Sequence, residues 1–123
     1  MWLLDHNIPR QVHQVLTKLG IENATTKHRG WENLKNGILT KTAYDAGVRC
    51  ILTLDRLFRD DAASVLKTCP DLTLVLLTLE QDRGPVFAEQ FLKAWQQSPI
   101  LLRPGYLVEW PGKSLPPTPN TPS

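Results

Sequence analysis

The sequence has few cysteines and none of the short motifs that identify common cofactor sites. Its two cysteines, Cys50 and Cys69, form no Cys-x-x-Cys pair, and the chain contains no zinc-ligand cluster. A P-loop and a Gly-x-Gly-x-x-Gly turn are also missing. We therefore interpret both cysteines as reduced thiols in or near the core.

Long apolar runs are missing as well. None approaches the roughly 20 residues that a membrane-spanning helix needs. The first residues lack the basic start, apolar stretch and small-residue cleavage site of a signal peptide. We expect a cytoplasmic protein without a membrane partner.

Neither sign of charge is in large excess, since 14 Lys and Arg stand against 12 Asp and Glu. The distribution is uneven. Residues 1–59 hold nine Lys and Arg against five Asp and Glu, whereas residues 60–123 hold five against seven. A mildly basic first half is compatible with a phosphate-bearing ligand, although solvated surface charge produces the same pattern.

Three continuous apolar runs predict strands that are buried on both faces of a sheet: residues 2–4, 50–54 and 72–79. Residues 22–26 predict a weaker strand at an edge. The stretch 100–110, with Pro-Gly at its centre, predicts a short C-terminal hairpin.

Helical spacing of apolar residues fills the segments between these runs, beginning near residues 8, 39, 62 and 87. The alternation predicts an α/β domain over residues 1–110, with a mainly parallel central sheet flanked by helices. Residues 111–123 are rich in Pro, Ser and Thr, and this composition predicts a disordered tail.

Two of the predicted strands end in a carboxylate, Asp5 and Asp55. In parallel sheets, ligands bind beyond the carboxyl ends of the strands, near a switch in strand order. If the two strands are neighbours, the carboxylates emerge at one edge and can share a cation such as Mg²⁺. The alternative is that both residues are polar strand ends that reach water.

Other polar residues near these strand ends have structural explanations too. Asn7 and Asn36 are good N-caps for the helices that follow them. Asp60 and Asp61 suit a helix start through the macrodipole, with auxiliary roles at the site as the alternative. His6 follows Asp5 directly and could approach the same site or face solvent.

Arg10, Arg56 and Arg59 flank the two aspartates and are candidates for binding a substrate phosphate, Arg10 and Arg56 above all.

Two segments resemble the small stand-alone PIN-like proteins, a family associated with toxin–antitoxin genes. "LLDHNIPRQVHQVLTKLG" is similar to their Leu-Leu-Asp-Glu-Asn-Leu-Pro opening and the amphipathic helix after it. "GWENLKNGILTKTAYDAGVRCILTLDRLF" is similar to their Gly-Trp loop, their Leu-Lys-Asn-Gly helix start and their apolar strand ending in Thr-x-Asp. The resemblance covers roughly residues 2–80.

This resemblance implies a three-layer PIN-like fold and Mg²⁺- or Mn²⁺-dependent cleavage of RNA, with an antitoxin protein as partner and a homodimer as a further expectation. Matched by position, it points to Asp5, Asn7, Asn36, Thr53 and Asp55. Asp5, Asp55 and Asn36 would be catalytic, the two aspartates as metal ligands. Asn7 and Thr53 would bind substrate.

The chain departs from the family at three positions. His6 stands where the family usually has Glu, Ile38 where related sequences often carry Glu, and Leu57 where many carry Asp. These departures support an alternative, a catalytically impaired PIN-like module that binds RNA or a partner protein without cleaving RNA.

A phosphoacceptor receiver domain is a third interpretation, based on Asp55, Thr78 and the Arg103-Pro104 pair. Receivers usually have an acidic pair after the first strand and a Lys before that Pro, and this chain has neither.

Overall fold

The computed structural model describes residues 1–112. The predicted tail therefore lies outside the described residues, apart from Pro111 and Gly112. The Gly112 N–H donates to Thr78 Oγ1 at 3.0 Å, so the start of that segment is bonded to the domain.

Strands and helices alternate along the described residues, as the apolar patterns predict. In chain order they are β1 (Trp2–Leu4), α1 (Gln11–Lys18), β2 (Asn23–Thr25), α2 (Thr26–Arg29), α3 (Asn36–Asp45), β3 (Cys50–Thr53), α4 (Leu57–Thr68), β4 (Thr73–Leu77), α5 (Gly84–Gln97) and β5 (Leu107–Trp110).

The five strands form one parallel sheet in the order β2-β1-β3-β4-β5. Residue Leu4 of β1 is in register with Leu52 of β3 on one side and with Thr25 of β2 on the other. The predicted α/β class is confirmed, and β2 is an edge strand as expected. From β1 the chain first adds β2 on one side and then β3, β4 and β5 on the other, so the strand order switches direction at β1.

The core has two halves, one on each face of the sheet. Helices α1 and α5 cover one face, and α3 and α4 cover the other. Successive residues of a strand point to opposite faces, so Leu3 packs under α3 and α4 while Leu4 packs under α1 and α5. Both faces are buried, which explains why β1, β3 and β4 are continuous apolar runs.

Aromatic residues on the helices anchor both halves of the core. Phe58 of α4 and Phe87 and Phe91 of α5 are fully buried. Each contributes about 1.5–3 kcal/mol relative to an exposed position. Cys50 and Cys69 are free and buried, as predicted, and burial raises the pKa of the Cys50 thiol. Within residues 1–112, no helix has the length and apolarity needed to cross a membrane.

The predicted C-terminal hairpin is wrong. Residues 99–106 contain no strand, and β5 pairs in parallel with β4 instead. Leu101 and Leu102 are 76% and 45% exposed, so the first arm of a hairpin would have no apolar surface to cover. The turn at Gly105, with φ +86°, directs the chain into β5, and its N–H donates to Leu72 O at 2.8 Å.

Candidate functional site

The candidate site lies where the strand order switches, at the carboxyl ends of β1 and β3. Asp5 follows β1 directly, and Asp55 lies two residues beyond β3. The Asp5 N–H donates to Leu52 O at 2.9 Å, which extends the pairing of the two strands up to the aspartate. The prediction that both residues emerge at one edge of the sheet is therefore confirmed. Parallel sheets commonly bind ligands at this position.

Asp5 is only 3% exposed and is the single buried charged residue among residues 1–112. Its Oδ1 accepts the His6 N–H at 2.8 Å and lies 3.1 Å from His6 Nδ1. The His6 side chain is itself 61% exposed. No buried cation accompanies the carboxylate, so its burial costs free energy that a purely structural position would not require.

Thr53, the last residue of β3, connects the polar residues of the site. Its hydroxyl donates to Asp5 Oδ2 at 2.7 Å and accepts the Asp55 N–H at 3.0 Å. Asn7 Nδ2 lies 3.5 Å from the same oxygen. The Thr53 hydroxyl is fully buried and bonds both the Asp5 carboxylate and the Asp55 backbone. It therefore fixes the position of the two residues relative to each other.

Asn7 is not the N-cap of α1, and that prediction is wrong. The helix begins at Gln11, three residues later than expected, and has no side-chain cap. Asn7 Oδ1 instead accepts the Leu54 N–H at 3.1 Å. Its side chain therefore joins the loop after β1 to the loop after β3.

Asn36 is also not a cap, because it is the first residue of α3 and Lys35 occupies the capping position. Asn36 Nδ2 lies 3.4 Å from Asp55 Oδ2, and the other oxygen of Asp55 accepts the Leu57 N–H at 2.9 Å. Asp55 thus binds the first turn of α4 and the first residue of α3. Asn36, Thr53 and Asp5 are linked through it.

The remaining predicted residues surround this network without joining it. Arg10 and Arg56 are exposed on its two sides. Arg56 lines a cleft of about 300 Å³ together with Arg59, which lies 3.6 Å from Glu109. Asp60 and Asp61 are exposed on α4 and make no side-chain hydrogen bond with residues 1–112. Asp60 lies in the first turn, which fits the macrodipole interpretation.

The donor set fits Mg²⁺ or Mn²⁺ only as a partial ligand shell. Within residues 1–112, no group of three His, Cys, Asp or Glu side chains is placed to hold a metal ion. The oxygen atoms of Asp5, Asp55 and Asn36 are the hard ligands that Mg²⁺ prefers. Mg²⁺ typically uses one or two carboxylates and completes its shell with water and substrate phosphate. A metal held by these residues would leave most of its shell to water and substrate phosphate.

A basic surface beside the site is a feature that the sequence indicated only weakly. A groove of about 960 Å³ runs along β2 and α2 and is lined by Arg10, Lys27 and Arg29. In the sequence its mark is the basic segment "TKHRGW", which directly follows β2 but places no carboxylate at the strand end.

The position of the Arg103-Pro104 pair does not fit the receiver interpretation. Arg103 lies before β5, at the amino end of the strands, whereas Asp55 lies beyond the carboxyl ends. The carboxyl end of β5 carries Trp110 instead of a cation.

No protein-family model, curated protein or solved structure matches the chain.

Proposed function

We propose that the chain is a Mg²⁺- or Mn²⁺-dependent endoribonuclease of the PIN-like class, acting as the toxin of a toxin–antitoxin pair. One observation carries the proposal. Asp5 is buried without a buried cation, at the switch in strand order, and is hydrogen-bonded to the strand that leads to Asp55. The sequence resemblance supplies the RNA substrate and the antitoxin.

In this proposal each residue has a defined task. Asp5 and Asp55 hold the metal, which would polarise the phosphodiester and lower the pKa of the attacking water. Thr53 keeps Asp5 Oδ2 in place through its 2.7 Å hydrogen bond. Asn36 orients a water beside Asp55, and Asn7 fixes the loop after β3 that carries Asp55. Arg10 and Arg56 neutralise the charge of the substrate phosphates.

The test is cleavage of an end-labelled RNA of mixed sequence with Mg²⁺, with Mn²⁺ and with EDTA. We expect metal-dependent cleavage that falls about 100-fold or more in Asp55→Asn, since even the loss of a partner behind a metal ligand costs 10–100-fold. Asp71→Asn is the matched control because Asp71 is exposed and precedes β4. It therefore lies at the amino end of the strands, away from the candidate site. RNA left intact by folded protein with either metal would refute the proposal.

A second candidate function is a module that binds RNA or a partner protein without cleavage. Two exposed apolar side chains favour it. Ile38 is 60% exposed on α3 and Leu57 is 63% exposed on α4. Both lie near the contact between Asn36 and Asp55, at positions where related sequences often carry acids. Binding of RNA that EDTA and Asp55→Asn both leave unchanged would favour this function.

A further inference from the structure

Beyond the site itself, the edge of the sheet carries a groove of about 960 Å³ along β2 and α2. Its lining includes three Lys and Arg residues and two His against one Glu. The whole chain has nearly equal numbers of acidic and basic residues, so this local excess of positive charge is unusual for the molecule. Clefts with one sign of charge concentrate ligands of the opposite sign.

Two bonded side chains give the groove a defined shape. The Arg29 guanidinium donates to Met1 Sδ at 3.4 Å and lies 5.4 Å from the centre of the Trp31 ring. His13 Nδ1 is hydrogen-bonded to Asn23 Oδ1, which ties α1 to the edge strand. Arg29 is therefore held in place before a ligand binds, which lowers the entropy cost of binding.

The groove reaches the carboxyl end of β2, the strand next to the one that leads to Asp5. Thr25, the last residue of β2, is in register with Leu4, the residue before Asp5. Lys27 and Arg29 lie on α2, which begins directly after β2 and therefore at the carboxyl end of the strands, like Asp5. Arg10, which lies five positions after Asp5 in the chain, also lines the groove. A chain-like ligand in the groove would thus pass Arg10 on its way to Asp5.

We propose that this groove binds the phosphate backbone of single-stranded RNA through Arg10, Lys27 and Arg29. The proposal rests on the proposed function only for the choice of RNA as the polyanion. A linear polyanion fits the observations because the cations come from two elements beside β2, Arg10 from the residue before α1 and Lys27 and Arg29 from α2, instead of surrounding one point. An acidic peptide that adds a strand to the free edge of β2 is the competing occupant.

The experiment measures binding of a fluorescent oligouridylate of about ten nucleotides in EDTA, by anisotropy, at several salt concentrations. The test variant is Lys27→Gln/Arg29→Gln. The matched control is Lys67→Gln/Lys93→Gln, which removes the same charge from exposed positions on α4 and α5. The single variant Lys27→Gln serves if the double variant is unstable.

We expect the test variant to bind at least about tenfold more weakly and its plot of log K against log salt to be less steep by about 1.4, because each single-strand phosphate contact contributes about 0.7. The control should bind like the wild type. Equal losses in both double variants would overturn the proposal, as would tighter binding of a poly-glutamate peptide or of an RNA duplex. RNA bound through the groove but never cleaved would refute the nuclease and leave this inference standing.

Discussion

Replacing Asp5 with Asn distinguishes a functional carboxylate from a structural one. The substitution keeps the shape of the side chain but leaves one acceptor oxygen for two donors, the His6 N–H and the Thr53 hydroxyl. Losing a hydrogen bond to a charged group costs about 1.5–3 kcal/mol. Removing a charge that is 3% exposed and has no buried cation beside it within residues 1–112 returns several kcal/mol of desolvation free energy.

These two effects oppose each other, so we expect Asp5→Asn in EDTA to unfold within about 1 kcal/mol of the wild type. Metal should then separate the two proteins. At a concentration a hundred times its dissociation constant, a metal that binds only the folded wild type adds about 2.7 kcal/mol. For a domain of this size that is a rise of about 10 °C in Tm. Asp5→Asn should show little of this rise.

The assay is urea and thermal unfolding, followed by tryptophan fluorescence, with EDTA, Mg²⁺ and Mn²⁺. Asp71→Asn controls for the loss of an exposed carboxylate and should keep the full response to metal. A structural role predicts the opposite pattern. If Asp5→Asn loses more than about 3 kcal/mol in EDTA and metal leaves the wild-type Tm unchanged, Asp5 belongs to the scaffold and our reasoning fails.

Two further substitutions test the network and its missing acid. Thr53→Val removes the partner of Asp5 Oδ2 and of the Asp55 N–H and should cost about 2 kcal/mol in urea unfolding. Thr73→Val, whose buried hydroxyl has no hydrogen-bond partner within residues 1–112, should cost nothing, and equal losses would contradict the network. Leu57→Asp should change the free energy of unfolding by no more than about 0.5 kcal/mol and should tighten Mn²⁺ binding in calorimetry. The control Leu101→Asp, at a 76% exposed position, should leave Mn²⁺ affinity unchanged. An unchanged affinity in Leu57→Asp would place residue 57 outside the metal site.

The parts of the fold that the sequence predicts are those with burial on both faces. β1 matches its apolar run residue for residue, and β3 and β4 differ from theirs only at the ends. The prediction of a C-terminal hairpin fails because an apolar run such as Ile100–Leu102 does not indicate whether another strand lies beside it. Its pairing with β4 depends on the path of α5 between the two strands.

The candidate site divides in the same way between local and long-range determinants. Asp5 and Asp55 can be selected from the sequence because each directly follows an apolar run and parallel pairing brings strand ends together. Asn7 and Asn36 have capping chemistry, and that local preference predicts caps for both. The fold uses them otherwise, since their side chains reach partners 47 and 19 residues away. Their contacts depend on the packing of helices on the sheet, which no local pattern encodes.

The same distinction bears on whether the site is a nuclease. A polar residue that the fold needs for a cap or a turn is explained by bonds close to it in sequence, as Asp55 is in part through the Leu57 N–H. Asp5 is different. Its fully buried partner, Thr53, is 48 residues away, and its other contacts are to the exposed His6 beside it. Asp5 is a buried acid at the end of β1, and it is bonded to the neighbouring strand β3 where the strand order switches. We expect Asn at this position to stabilise the fold about as well. In the proposed function Asp5 would give a cation a fixed negative charge where a ligand would enter, and this is the physical reason for proposing that Asp5 serves the chemistry and not the fold.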